Sequence, residues 1–256
     1  MKLLISGLSG HMGQELAKMA KSSPNGFCVI AGVDKFGTPG EIPCYSSFAE
    51  APTDVDMIVD FSHPSVLSDL LQFAVSNRIP VVIATTGYTP AQKDDITKAA
   101  KMIPVFYAAN YSVGIAVLID LAKRAAAAFP NAEIEIVEKH HDRKVDAPSG
   151  TALALADAIR EVRPSATINP GRSGDCKRSP EEIGIHSIRL GNIVGEHEVL
   201  IGTPTQTLTL RHEAHTRALF AEGALAAAGF LYGKPAGLYD MNSMLGEKSK
   251  KEIPAI

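Results

Sequence analysis

The chain has 256 residues, 45% hydrophobic and 21% charged, a balance that fits a folded globular protein and excludes global disorder. A formal net charge of −3 carries no basic excess of the kind that coats nucleic acid. Three scattered cysteines, Cys28, Cys44 and Cys176, make neither a disulfide framework nor a zinc knuckle, so a reducing compartment is the simpler reading.

Lys2 precedes only four apolar-leaning residues before Gly7, too short a run for a signal-peptide core. The longest apolar-looking stretch, Val113 to Phe129, is broken by Asp120, Lys123 and Arg124, and so falls short of the roughly 18 residues of a membrane span. A soluble, cytoplasmic protein is expected.

In chain order, Lys2 to Ser6 reads as a buried strand and Met12 to Met19 as an amphipathic helix. Strands are predicted at Cys28 to Val33 and Met57 to Phe61. Val66, Leu70, Phe73 and Ala74 mark a helix with Pro64 near its start. A strand at Pro80 to Thr85, a helix at Pro90 to Met102 and a strand at Pro104 to Tyr107 follow. Such alternation, with continuously apolar strands, predicts a parallel sheet covered on both faces. The pattern then changes. A helix over Val113 to Phe129 ends at Pro130, and Ala132, Ile134 and Ile136 alternate with glutamates as a half-exposed strand. Ala152, Leu155, Ala156 and Ile159 form a helical stripe, and Pro164 to Pro180 reads as a long loop. Three strands, 183–190, 195–203 and 205–212, precede a helix over Thr216 to Phe230. Strands after a run of βα units predict a second domain of different class.

The segment Gly7-Leu8-Ser9-Gly10-His11-Met12-Gly13 follows a strand and opens a helix. Glycines there let backbone approach a phosphate, and the amides of the first helical turn bind the anion. The spacing is G-x-x-G-x-x-G rather than G-x-G-x-x-G. Asp34, 21 residues beyond Gly13 at the end of the second strand, is placed to accept hydrogen bonds from an adenosine ribose. The plain alternative is a turn and a surface Asp. Lys35 next to it leaves room for a 2′-phosphate, and Phe36 either covers an adenine or packs. Thr85-Thr86-Gly87 and Ala109-Asn110-Tyr111-Ser112 end two further strands, where ligands of open α/β sheets lie. His63 either approaches the same crevice or caps a turn.

The densest segment is Glu138-Lys139-His140-His141-Asp142-Arg143-Lys144-Val145-Asp146-Ala147-Pro148-Ser149-Gly150-Thr151. His140, His141, Arg143 and Lys144 place four potential cations within five residues, and Ser149 is a plausible cap for the helix that follows. Cations and the amides of Gly150 and Thr151 converging on one spot suit a carboxylate or phosphate substrate. Adjacent histidines on a strand face opposite ways, so His140 and His141 have different tasks. Metal binding is disfavoured because Arg and Lys are interleaved with the histidines. A solvated charged loop is the plain alternative.

The glycine loop, T-T-G strand end, N-Y-S turn and H-H-x-x-K-x-D-A-P-S-G-T run together resemble the 4-hydroxy-tetrahydrodipicolinate reductase (dihydrodipicolinate reductase) family. The later R-L-G-N-I-V-G-E-H segment, the H-x-A-x-x-R segment from His212 to Arg217 and the G-L-Y-D-M ending fit as well, so the resemblance covers nearly the whole chain. It implies an α/β fold. A Rossmann-like dinucleotide-binding domain (1–111 and 217–256) would carry an inserted α+β substrate and tetramerisation domain (112–216). It implies NADH- or NADPH-dependent reduction of a cyclic imine dicarboxylate to tetrahydrodipicolinate in lysine and diaminopimelate biosynthesis, by a homotetramer. By resemblance, His140 is a proton donor/acceptor and Lys144 the proton donor. His141, Gly150 and Thr151 would bind substrate. Gly7, Leu8, Ser9, Gly10, His11, Met12, Asp34, Thr85 to Gly87 and Ala109 to Ser112 would hold the cofactor. The family commonly has Arg where this chain has His11, and Gly where it has Ala84; with Asp34, the first departure leans toward NADH. Neither metal, nucleic acid nor membrane enters this expectation. Two other classes stay open at this point. One is a Rossmann oxidoreductase acting on a hydroxy or amino acid; the other is a redox-sensing NAD(H)-binding protein that needs no His/Lys cluster.

Overall fold

The computed structural model describes residues 1–37 and 40–251; residues 38, 39 and 252–256 of the expected first domain lie outside the described residues. The chain divides into two compact units, one of Met1–Ser112 with the chain from Ala218 onward, the other of Val113–Arg217.

The first unit runs β1 (Lys2–Ser6), α1 (His11–Ser22), β2 (Cys28–Val33), β3 (Cys44–Tyr45), β4 (Met57–Asp60), α2 (Leu67–Ser76), β5 (Val81–Ile83), α3 (Pro90–Ala99) and β6 (Pro104–Tyr107). The second contributes α4 (Val113–Ala128), β7 (Glu133–His140), α5 (Gly150–Arg160), β8 (Thr167–Asn169), β9 (Glu182–Arg189), β10 (Gly195–Thr203) and β11 (Gln206–Ala214). The first unit then resumes with α6 (Ala218–Leu231), β12 (Gly237–Tyr239) and α7 (Met241–Lys251).

In the first unit all seven strands pair in parallel, in the order β12-β6-β5-β4-β1-β2-β3. Read from the β3 edge this is the doubly wound 3-2-1-4-5-6 order with one strand added. Leu3–Ile5, Met57–Val59 and Val81–Ile83 are fully buried, as strands covered on both faces must be. α2 and α3 pack into the core of one face, and α1 packs against α6. The chain order reverses between β1 and β4, which opens a crevice beyond their carboxyl ends. α3 begins with a capping box in which the Thr89 side chain and Gln92 satisfy each other's amides, with Pro90 in the first turn. It ends at Ala99 rather than at the expected Met102, because the Met102 amide turns back to the Ala99 carbonyl at 2.9 Å.

The second unit is a mixed sheet, order β11-β10-β7-β9-β8, with β10 antiparallel to both neighbours and β7, β9 and β8 parallel. α4 and α5 cover one face. Their core joins Ile134, Ile136, Leu155, Ile159, Ile185 and Val199. The expected loop Pro164 to Pro180 holds strand β8, three residues that pair with β9. A strand that short, between Pro164 and Pro170, shows no period of its own. Strand β3 escaped notice for the same reason.

Candidate active site

The glycine loop is built by steric exclusion. Gly7 has φ +82°, and a Cβ there would lie 2.5 Å from the Phe61 carbonyl oxygen. A Cβ on Gly13 would lie 2.1 Å from the Gly7 oxygen. The loop therefore folds back on itself and against the end of β4, a path only glycine permits. The following helix α1 has Gly10 as its cap and no side chain bonded to its first-turn amides. Those amides stay available to an anion. Beyond the loop lies a cleft of roughly 970 Å³, lined by Gly7, Gly10, Asp34, Lys35, Phe36 and His63 among others.

Asp34 does more than the sequence suggested. Its Oδ2 accepts from the Ser9 amide at 3.1 Å and its Oδ1 from the Phe36 amide at 3.0 Å, so the carboxylate clamps the glycine loop to the turn after β2. Each oxygen keeps a lone pair for a ribose hydroxyl. Lys35 lies over the exposed Phe36 ring at 5.8 Å. Leu8 is buried, and a Cβ on Gly32 would strike it at 2.2 Å, so its side chain belongs to the core and only its backbone faces the loop. His63 both lines the cleft and caps, its Nδ1 accepting from the Ser65 amide at 3.2 Å.

The Thr85 strand end is tied to a buried carboxyl. Asp60, the last residue of β4, is fully buried, and burial raises its pKa; Ser62 Oγ donates to it at 2.5 Å. The Ser62 amide in turn donates to Thr85 Oγ1 at 2.8 Å. Tyr111 is buried, its hydroxyl donating to the carbonyls of Ile83 at 2.8 Å and Phe106 at 3.2 Å. Its ring thus serves the sheet and leaves backbone to the crevice. α6 approaches that turn so closely that a Cβ on Gly223 would sit 1.7 Å from the Tyr111 oxygen. The Ser112 amide bonds to Asn110 Oδ1 at 2.8 Å. Neither Thr85–Gly87 nor Ala109–Ser112 is among the residues lining the large cleft. The glycines, an uncapped helix start, an acidic strand end and a roomy cleft together fit a dinucleotide.

In the second unit, the inward face of β7 reads Ile134, Ile136, Glu138, His140, so the apolar period continues into two polar residues. Registered pairing puts Arg189 beside His140 on one flank and His197 beside Glu138 on the other. Glu138 is fully buried and saturated. Arg189 donates to both oxygens at 2.9 and 2.8 Å, His140 Nδ1 lies 2.6 Å from Oε2, and the Ser149 amide donates to Oε1 at 3.1 Å. Burial alone would raise this carboxyl, but the bonds from Arg189 and His140 outweigh it and hold the pKa at about 2. Burial lowers the His140 pKa against the opposing pull of Glu138. His197 is pushed down to about 4, by burial first and then by the nearby His140 ring. Its Nε2 lies 3.0 Å from Ser149 Oγ.

This network reaches the start of α5 and the loop that carries Lys144. Ser149 caps α5 by accepting from the Ala152 amide at 3.2 Å, which leaves Gly150 and Thr151 in the first turn. Arg189 also bonds to the Asp146 carbonyl and so fixes the loop carrying Lys144, whose Nζ meets Asp146 Oδ1 at 2.8 Å. His141 follows the strand, with a buried Nδ1 that lacks a protein hydrogen bond. From the sequence, Arg189 and Gly195 mark only a strand pair and its turn, His197 reads as a structural strand histidine, and Glu138 has no separate role in the chemistry. The signal was present for Glu138, which shares the two-residue period of His140. The pairing of β9 and β10 that delivers the others is not a local property. Among the described residues, no group of three or more His, Cys, Asp and Glu is arranged to hold a metal ion, and no helix is long and apolar enough to cross a membrane.

Comparison with known proteins agrees with this geometry. The family "Dihydrodipicolinate reductase, N-terminus" matches residues 1–111 and "Dihydrodipicolinate reductase, C-terminus" matches residues 114–245. The chain is 45% identical to a 4-hydroxy-tetrahydrodipicolinate reductase of Caldanaerobacter subterraneus subsp. tengcongensis over 246 residues, 95% of this chain and 98% of that one. It is 41% identical to the Clostridium novyi protein of the same name, over 97% of this chain and 99% of the relative. Among solved structures, the dipicolinate-bound dihydrodipicolinate reductase from Paenisporosarcina sp. TG-14 superposes with a TM-score of 0.81 at 28% identity, covering 94% and 98% of the two chains.

Proposed function

The chain belongs to the dihydrodipicolinate reductase family, and from that premise we propose how its residues divide the work. The reaction is reduction of 4-hydroxy-tetrahydrodipicolinate to tetrahydrodipicolinate with NADH or NADPH, in lysine and diaminopimelate biosynthesis. The observation that carries the division is the Glu138 network, which joins His140, the Lys144 loop and the start of α5.

The reduced nicotinamide supplies the hydride. The Gly7–Met12 backbone and the first-turn amides of α1 hold the cofactor's phosphates, and Asp34 takes the adenosine ribose. Lys35, Thr85–Gly87 and Ala109–Ser112 complete that site. The Gly150 and Thr151 amides, with His141, hold a substrate carboxylate; dipicolinate, seen on the Paenisporosarcina relative, is a planar dianion of matching charge. Electron density left on the substrate by hydride addition must be protonated, and Lys144 or His140 supplies that proton at Nζ or Nε2. Asp34 opposes a 2′-phosphate and Lys35 permits one, which leans the preference toward NADH without excluding NADPH. Four chains assemble through the exposed β11 edge, and the setting is cytoplasmic.

The test is loss of reduced-nicotinamide absorbance when purified protein meets freshly generated substrate. We expect turnover with both cofactors and a larger kcat/KM with NADH. A large NADPH preference would overturn the role given to Asp34, and no turnover with either would overturn the activity.

A further inference from the structure

Glu138 is unusual for a carboxylate: fully buried at the end of an apolar strand face, yet bonded by a guanidinium, an imidazole and a backbone amide. Burying an ion pair gives little net stability by itself, so its position calls for another reason. A carboxylate that stays ionised can only accept. Facing it at 2.6 Å, His140 must therefore carry its proton on Nδ1. The other nitrogen, Nε2, lies where a Cβ on residue 195 would come within 3.1 Å, and residue 195 is glycine. One side of the ring is thus bolted, and the other is kept clear.

We propose that Glu138 is the positioning residue for His140. Secured by Arg189 and the Ser149 amide, it accepts from Nδ1–H and makes Nε2 the nitrogen that exchanges a proton with substrate. Nε2 takes up a proton from solvent and passes it to the substrate while Nδ1–H stays on the carboxylate, so the ring returns to its neutral form after each turnover. The other groups facing His140 are cations or neutral: Arg189 from β9, Lys144 from the loop, and the His197 ring from β10, 5.2 Å away edge-on. Arg189 and Lys144 oppose an imidazolium, and Glu138 is the charge that favours one. The same carboxylate bonds the residue before Gly150, so ring orientation and the anion-binding helix start are set by one group.

This inference rests on the reading of His140 as a group that touches substrate, and the experiment separates the two. Nitrogen-15 correlation spectra of the intact wild-type enzyme at pH 7.5 should show His140 protonated at Nδ1 and bare at Nε2. Glu138→Gln should lower kcat by about a hundredfold, leave the NADH dissociation constant within about twofold, and move the His140 titration midpoint down. In a His140→Gln background the same change should cost less than about twofold more. A wild-type ring protonated at Nε2, losses that multiply in the double variant, or full turnover in Glu138→Gln beside a crippled His140→Gln would overturn the positioning role. Full turnover in His140→Gln would instead overturn the catalytic reading. If Glu138→Gln does not fold, the wild-type tautomer decides alone.

Discussion

His197 shows how far a residue's surroundings can outweigh its ordinary chemistry. Buried beside His140, it has its pKa pushed from 6.5 to about 4. An unfolded chain takes up that proton near pH 6.5, while the folded one resists until about 4. Its contribution to stability is therefore complete above pH 6.5 and is lost as the pH falls toward 4, on a scale of ~3 kcal/mol. Glu138 acts with the same sign in a lower window, between its ordinary 4.5 and about 2. Urea unfolding from pH 7.5 down to 4.5 should show falling stability in the wild type and a flatter dependence in His197→Gln. Identical slopes would contradict the assignment. At this scale the histidine and lysine pattern was legible in the sequence, because H-H-x-x-K followed by a capped helix is a local arrangement. What holds it was not. Arg189 and His197 reach Glu138 only through strand pairing across 51 and 59 residues of chain.

Among the elements, those within an apolar run or a strict alternation could be read, and the two- and three-residue strands at sheet edges could not. β1, β2, β6 and β10 fall where the apolar runs placed them, since burial on both faces or strict alternation leaves a direct imprint. β3, β8 and β12 have two or three residues each and exist because a longer neighbour offers an edge. β11 is the informative case. Its sequence alternates Thr205, Thr207 and Thr209 with Gln206, Leu208 and Leu210, and the strand is the sheet's edge, exposed along most of its length with Leu208 38% accessible. An edge that long and that bare invites pairing. We expect sedimentation equilibrium to give four times the 27.2 kDa chain mass, and Leu208→Glu to shift it to smaller species. A wild-type monomer at micromolar concentration would contradict assembly through this strand.

On the proposed reading the whole molecule separates two tasks. The cleft beside the glycine loop, proposed for the cofactor, belongs to the unit built on the seven-stranded parallel sheet, and the imidazole, ammonium and helix-start cluster belongs to the unit spanning Val113–Arg217. Each unit has its own core. A change in one should leave the binding done by the other nearly intact. Lys144 suits that test because its ammonium pairs with the exposed Asp146, a contact worth little to stability. The most direct measurement is therefore Lys144→Ala, assayed for turnover by reduced-nicotinamide absorbance and for NADH affinity by calorimetry on the same preparation. The account predicts a loss in kcat of at least about a hundredfold with the NADH dissociation constant within about twofold. Unchanged turnover, or turnover and NADH affinity lost together, would contradict it.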